Sequence, residues 1–415
     1  MTMLRDRLKA ALDPDAAIDR LKRLVHCPSV TGQEDDIAAL LEVDLQTLGL
    51  DEVTRWAFAT GRFNVRARRS IASDRPTVLL VGHTDTVHVR GWQERWAGTD
   101  RANAFAATEV DGEIWGRGTA DMKIGIATAL SAIDLLNRAG IAPSCNLQLA
   151  FVGDEESGEP GSGVSAGMKA LMPVYDTGLW PIPDLAIYGE PSSLDVYTAH
   201  MGFFICDITV NGKSAYFGLP EQGVDALKAG NAILTALWQL SDEIRAAGSD
   251  PMIGPGFLVV TGVNAGGYIA VPGDCRISLI RKLIPGEDAE VERQRLETVV
   301  RNAITDDLIT VTFGYPAGRD SSIGGTPLVT DAAVPAIGML IDAIRSVVPA
   351  AGRIGPCAGW SEGPFLSARG APVVYFSPGD FVHCHTLEER VSLGAYADGI
   401  LALAIFLASY GQTTA

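Results

Sequence analysis

The chain reads as an α/β protein into which a second, α+β unit is inserted. Short apolar runs of the buried-strand type alternate with helical periodicity in the first part. The order then changes to strand, helix, strand, strand, helix, strand, and the first pattern resumes before the C-terminus. At 415 residues the chain also exceeds what one hydrophobic core usually serves, so two domains are expected.

In order, apolar residues recur at helical spacing from 15 to 50, and residues 76–82 form a buried strand. Residues 122–139 read as a helix, and 146–152 and 185–188 as further apolar strands. Strand 203–210, helix 224–246, strands 257–263 and 275–283, helix 287–304 and strand 308–313 follow. That βαββαβ order is the ferredoxin-like arrangement. A helix at 336–347, a strand at 371–376 and a helix at 391–410 resume the first pattern. Residues 1–195 and 317–415 are therefore expected to form one domain with a mixed sheet flanked by helices, and 196–316 an insertion. Stretches rich in Pro and Gly at 181–183 and 315–327 lie near the boundaries.

Composition excludes several functions. Apolar residues make up 47% of the chain, and the formal charge is −17, which opposes a polyanionic partner because nucleic-acid binding relies on Lys and Arg. Anionic membranes are disfavoured for the same reason, and no stretch reaches spanning length. The N-terminus mixes charges without the apolar core of a signal peptide. Six scattered cysteines without C-x-x-C pairs read as reduced thiols, so a cytoplasmic location is expected.

The chemistry-bearing residues cluster just after strands. His83 and Asp85 in Gly82-His83-Thr84-Asp85 emerge where a buried strand ends, the ligand side of open α/β sheets. His83 suits a metal, and Asp85 is placed to accept its other ring N–H. Asp121 closes a glycine-rich turn from Gly116 at the start of a helix, where an aspartate serves as N-cap or as a bridge between two cations. Asp154, Glu155 and Glu156 follow an apolar strand, and like charges packed there repel unless cations or solvent offset them. Glu156 suits a metal and Glu155 a general base. Glu190 is a further acid after a strand, and either His383 or His385 supplies a second histidine.

In combination these elements resemble the M20 metallopeptidases, the group of acetylornithine deacetylase, succinyl-diaminopimelate desuccinylase and glutamate carboxypeptidase. Gly82–Asp85 is similar to their H-x-D element, Gly116–Lys123 to G-R-G-x-x-D-M-K, Glu155-Glu156 to the paired glutamates, Gly189–Pro191 to the acidic ligand element, and Gly379–Glu389 to the terminal H-T-x-E element. The resemblance implies a zinc-peptidase-like catalytic domain with His83 and Glu190 on one divalent metal, Glu156 and His385 on the other, and Asp121 bridging. It makes Glu155, Asp85 and Tyr216 catalytic. The inserted unit becomes a lid and dimerisation domain, giving a homodimer or a higher assembly. One or two ions are implied, Zn²⁺ first, with Mn²⁺ or Co²⁺ as alternatives. Arg281 matches an arginine that pairs a substrate carboxylate, and Tyr216 and Glu362 fall among the expected substrate contacts.

Departures from the family pattern concentrate in the insertion. The family's G-K-x-A-H element reads Gly212-Lys213-Ser214-Ala215-Tyr216, so a phenol replaces the histidine that stabilises the oxyanion. Ile269 replaces the asparagine of N-x-x-P. Each lost oxyanion donor typically costs about 3–4 kcal/mol of transition-state stabilisation. His88, Ile124 and Glu362 are milder departures. The leading expectation is a metal-dependent hydrolase of a small carboxylated amide, an N-acyl amino acid or a dipeptide. A hydrolytic deaminase similar to 5-nitroanthranilate aminohydrolase is the alternative, since it forms no carbonyl oxyanion. A non-catalytic metal-binding scaffold is a third reading, against which the intact Glu155 stands.

Overall fold

The computed structural model describes residues 2–156 and 162–412. Ser157 and Gly158, at the end of the acidic motif, lie outside the described residues. The chain divides into two compact units. The first comprises Met1–Thr198, Thr330–Cys357 and Ser361–Ala415, and the second Ala199–Val329 with Ala358–Trp360.

The core of the first unit is a mixed sheet. Strands Thr77–His83, Asn146–Val152, Leu185–Tyr188 and Val373–Tyr375 are mutually parallel at its centre. The hairpin Asp51–Ala59 and Arg62–Arg69 extends it antiparallel on one side and Val196–His200 on the other. The central strands are buried at every position but Asn146, as parallel strands covered on both faces must be. Their register sets His83 beside Val152, and Tyr188 beside both Val81 and Tyr375. Four strands therefore end together, and the loops that leave them converge.

Helices Lys123–Ala139, Leu393–Ser409 and Pro335–Val347 flank the sheet. The first approaches a sheet loop closely at Gly125, where a Cβ would lie 2.1 Å from the Gly189 carbonyl oxygen. Glycine is required because the helix backbone and the loop before Glu190 share that space. None of the described helices is long and apolar enough to cross a membrane. All six cysteines are free.

The helical periodicity read from 15 to 50 belongs to two helices, Pro14–Val25 and Asp35–Thr47. Pro28 and Gly32, the latter at φ 102°, interrupt them. The intervening segment instead pairs with the loop after His83, Thr86 N–H donating to Ser29 and Thr31 N–H to Thr86.

The second unit is a βαββαβ fold with its own core. Strands Gly202–Asn211, Phe257–Ala265, Asp274–Leu283 and Thr310–Gly314 stand in spatial order second, third, first, fourth and pair antiparallel. Helices Ala226–Ala247 and Ala289–Asn302 supply the two crossovers. The expected return to the first domain at 317 falls at 330 instead. Gly324–Gly325 pairs with Phe203 and Phe204, which keeps the preceding loop with the second sheet.

Candidate metal centre

The convergent loops bring five predicted side chains into one cluster. Asp121 Oδ1 lies 3.1 Å from His83 Nε2, and its Oδ2 lies 3.3 Å from His385 Nε2. His385 Nε2 is also 3.1 Å from Glu156 Oε1, and His83 Nε2 is 3.9 Å from Glu190 Oε1. Among the described residues, three groups able to hold an ion arise here: His83 with Asp121 and Glu190, His83 with Glu155 and Glu156, and Asp121 with Glu156 and His385. His383 belongs to none of them.

These separations suit a divalent cation. Two ligands bonded at about 2.1 Å in tetrahedral directions stand roughly 3.4 Å apart. The donor set of imidazole nitrogens and carboxylate oxygens is that of Zn²⁺, Mn²⁺ or Co²⁺. The charge balance also fits, because Asp121, Glu155, Glu156 and Glu190 bury four carboxylates around two histidines. Carboxylates outnumber imidazoles there, and crowding them together favours the arrival of a cation.

The titration of the cluster records this crowding. Burial raises Glu155, and Glu156, Glu190 and Glu362 add to the effect. Burial and Asp121 raise Glu190 to about 8. Asp121 and Glu156 lift His385 to about 11. Burial would lower His83, but Asp121, Glu190 and Glu155 outweigh it and hold the imidazole well above its ordinary value. Asp121 is the converse: burial pushes it up, yet the two histidines leave it below the usual carboxylate range.

Asp121 does not cap the helix that follows. Met122 occupies the N-cap position, and the Asp121 carboxylate faces the histidines. Asp85 acts differently from expectation. His83 Nδ1 lies 2.9 Å from the Asp85 backbone carbonyl, while the Asp85 carboxylate is 3.8 Å away and accepts the backbone N–H of Glu155 and Glu156. Thr31 also donates to it. Asp85 therefore ties the His83 strand end to the glutamate loop.

Two further expected contacts are occupied inside the protein. Glu362 is fully buried and accepts the Tyr188 hydroxyl at 2.7 Å, so it lies under the cluster as a support and not as a surface for substrate. Arg281, in the second unit, is 1% exposed and pairs with Glu287 at 2.6 Å and Glu292 at 2.9 Å. Its guanidinium is neutralised by its own domain. Strand alternation turned the side chain into that packed face. Tyr216 remains 60% exposed. It sits opposite Ala270 in a two-stranded ladder, and Phe217 N–H approaches Ile269, so the two positions that depart from the family pattern are neighbours.

Several supporting residues had no reading of their own in the sequence. Ser361 donates to Glu190 Oε1 at 2.8 Å. Asp154, first of the acidic triplet, pairs with Arg62 and caps the backbone of Gly163, Val164 and Ala166. Glu389 accepts three backbone N–H groups of the 116–121 turn. Asp154 and Glu389 sat within quoted motifs and were legible as acids, whereas nothing local marks Ser361.

The chain is similar to known proteins in sequence and in fold. Residues 79–409 match the sequence model of Peptidase family M20/M25/M40. Acetylornithine deacetylase of Proteus mirabilis is 29% identical over 242 residues, 56% of this chain and 57% of that protein. Succinyl-diaminopimelate desuccinylase of Dechloromonas aromatica is 26% identical over 392 residues, 92% of this chain and 95% of that protein. In fold, an M20 family metallo-carboxypeptidase from Sulfolobus solfataricus superposes with a TM-score of 0.76 at 16% identity, covering 96% of this chain and 99% of that one.

Proposed function

The chain belongs to the M20/M25/M40 peptidase family of metal-dependent hydrolases acting on C–N bonds, and we propose that it cleaves the amide of a small carboxylated substrate, an N-acyl amino acid or a dipeptide. The observation that carries the proposal is Asp121, whose two carboxylate oxygens face two different histidines. A carboxylate so placed can bridge a pair of cations and lower their mutual repulsion. In this reading His83 and Glu190 hold one cation, and Glu156 and His385 the other.

The cations, Zn²⁺ with Mn²⁺ or Co²⁺ as alternatives, would supply Lewis-acid activation of water and of the scissile carbonyl. Glu155 takes the proton of the attacking water on its carboxylate and returns it to the leaving nitrogen. Burial and the neighbouring Glu156 and Glu190 raise its pKa, which strengthens it as a proton acceptor relative to a free carboxylate. Asp85 keeps Glu155 and Glu156 in register with His83 through their backbone N–H groups. The names of the deacetylase and desuccinylase relatives support an N-acyl substrate. A homodimer through the second unit is part of the reading, supported by the exposed Val259 and Val263 on its edge strand. A cytoplasmic location is supported by the six free thiols.

A second reading, hydrolytic deamination of an electron-poor aromatic amine, is favoured by the Tyr216–Phe217 ring pair, 4.6 Å between centroids, where the family pattern has a histidine. That reaction needs no oxyanion donor. Metal-reconstituted protein should be offered N-acyl amino acids and dipeptides in one panel and amino-substituted electron-poor benzoates in another, with released amine or ammonia as the readout. Amine from the first panel supports the amidohydrolase. Ammonia from the second alone supports the deaminase, and release from neither, with metal bound, overturns both.

A further inference from the structure

The carboxylates of the candidate metal centre are not held alike. Asp121 and Glu156 stand within hydrogen-bond distance of a histidine. Glu190 differs. Its Oε1 is 3.9 Å from His83 Nε2, beyond hydrogen-bond reach, and accepts the Ser361 hydroxyl at 2.8 Å instead. Ser361 is 1% exposed and Glu190 5%, so the bond is shielded from solvent.

The segment that carries Ser361 grips the same strand end twice. Glu362, the next residue, accepts the Tyr188 hydroxyl at 2.7 Å, and Tyr188 stands two positions before Glu190. The backbone of Glu190 is fixed separately, its carbonyl accepting the Ser377 hydroxyl at 3.0 Å. What Ser361 adds is therefore the direction of the carboxylate. Tyr188, Glu190, Ser361, Glu362 and Ser377 all belong to the first unit.

A glutamate side chain turns about three bonds, and the like charges of the buried Asp121, Glu155 and Glu156 favour rotations that carry Glu190 away from them. A hydroxyl opposes that rotation without adding charge, whereas a lysine or arginine in its place would compete with a cation for the carboxylate. One hydrogen bond also leaves the carboxylate other acceptor positions for an ion. We propose that Ser361 is a positioning residue for the cation held by His83 and Glu190. It orients Glu190 before the ion arrives, and it acts on that ion and not on the one held by Glu156 and His385. This rests on the reading of Glu190 as a metal ligand in the proposed function.

A double-mutant cycle read by metal affinity tests the assignment. Calorimetric titration of the metal-free proteins with Zn²⁺, backed by chelator competition, gives each affinity without turnover. In His385→Ala, which keeps the His83 and Glu190 position, adding Ser361→Ala should weaken Zn²⁺ binding by about 10–100-fold, the usual worth of a partner that orients a ligand. Adding Ser361→Thr instead keeps the hydroxyl and should leave the affinity at the parent's level. In Glu190→Ala, adding Ser361→Ala should change nothing. An equal loss in both backgrounds would identify a packing role, and unchanged affinity in the first would likewise overturn the proposal. If Ser361→Ala does not fold, the isosteric Ser361→Thr and Ser361→Val decide, since they differ in the hydroxyl, and equal affinity overturns the proposal. Amine release by the metal-loaded wild type is measured alongside. The expected cycle without amide turnover would keep Ser361 as a positioning residue and reject the function, whereas turnover with a flat cycle would keep the function and remove Ser361 from it.

Discussion

Glu389 Oε1 accepts the backbone N–H of Asp121 at 3.0 Å, joining residues 268 positions apart. The same oxygen accepts Gly118 and Ala120 N–H at 2.9 Å each, while the other oxygen pairs with the buried Arg117. One carboxylate therefore locks the turn that presents Asp121 to the segment that presents His385. His385 itself sits at φ 60°, a strained conformation for a non-glycine residue that its neighbours must enforce.

Replacing Glu389 by alanine should destabilise the protein by about 3–5 kcal/mol, because Arg117 would be left charged and buried without its partner. Glu389→Gln keeps an acceptor for the turn and should cost less. Chemical denaturation of the metal-free proteins gives the stability, and chelator competition gives metal retention. An alanine variant that matches wild type in both would remove the locking role.

Glu155→Gln should lower kcat by about 10²–10⁴-fold, the usual worth of a positioned general base. The amide keeps the shape of the side chain, and Asp85 holds position 155 through its backbone N–H, which the substitution preserves. Metal content by elemental analysis should stay at the wild-type level. Retained turnover would assign proton transfer to another group, and unchanged biological activity of a catalytically dead variant would favour a scaffold.

Metal affinity should rise with pH. The folded pKa values of His83 and His385 are raised by the surrounding carboxylates, to about 11 for His385, and Glu190 is raised to about 8 by burial and Asp121. Groups with raised pKa keep their protons at neutral pH in the metal-free protein, so a cation must displace them. Each proton released makes the affinity about tenfold stronger per pH unit below the relevant pKa. Titration calorimetry in buffers of different ionisation enthalpy counts those protons, and a count of zero would contradict the cluster as described.

Arg281→Met should lower stability by about 2–3 kcal/mol and leave KM unchanged, since it strands Glu287 and Glu292, which retain some solvent. Thermal unfolding together with steady-state kinetics separates the two effects. A raised KM at unchanged stability would return Arg281 to the substrate.

Much of this protein is written locally in its sequence. Buried strands announce themselves as apolar runs, and because loops leave such strands at one sheet edge, His83, Glu155, Glu156 and Glu190 were legible as candidates, whereas the choice of His385 over His383 and of Asp121 as a ligand rested on the family resemblance. The βαββαβ order of the second unit followed from periodicity alone. Other features depend on partners far away in the chain. Whether Asp121 caps a helix or faces two histidines is decided by the register of parallel strands, which no window of sequence contains. The direction in which Arg281 points, the burial of Glu362 beneath Tyr188, and the pinning of the 116–121 turn by Glu389 are likewise long-range outcomes. Local periodicity reports how a segment folds against a generic interior, whereas charge pairing and side-chain direction are settled only when distant segments meet.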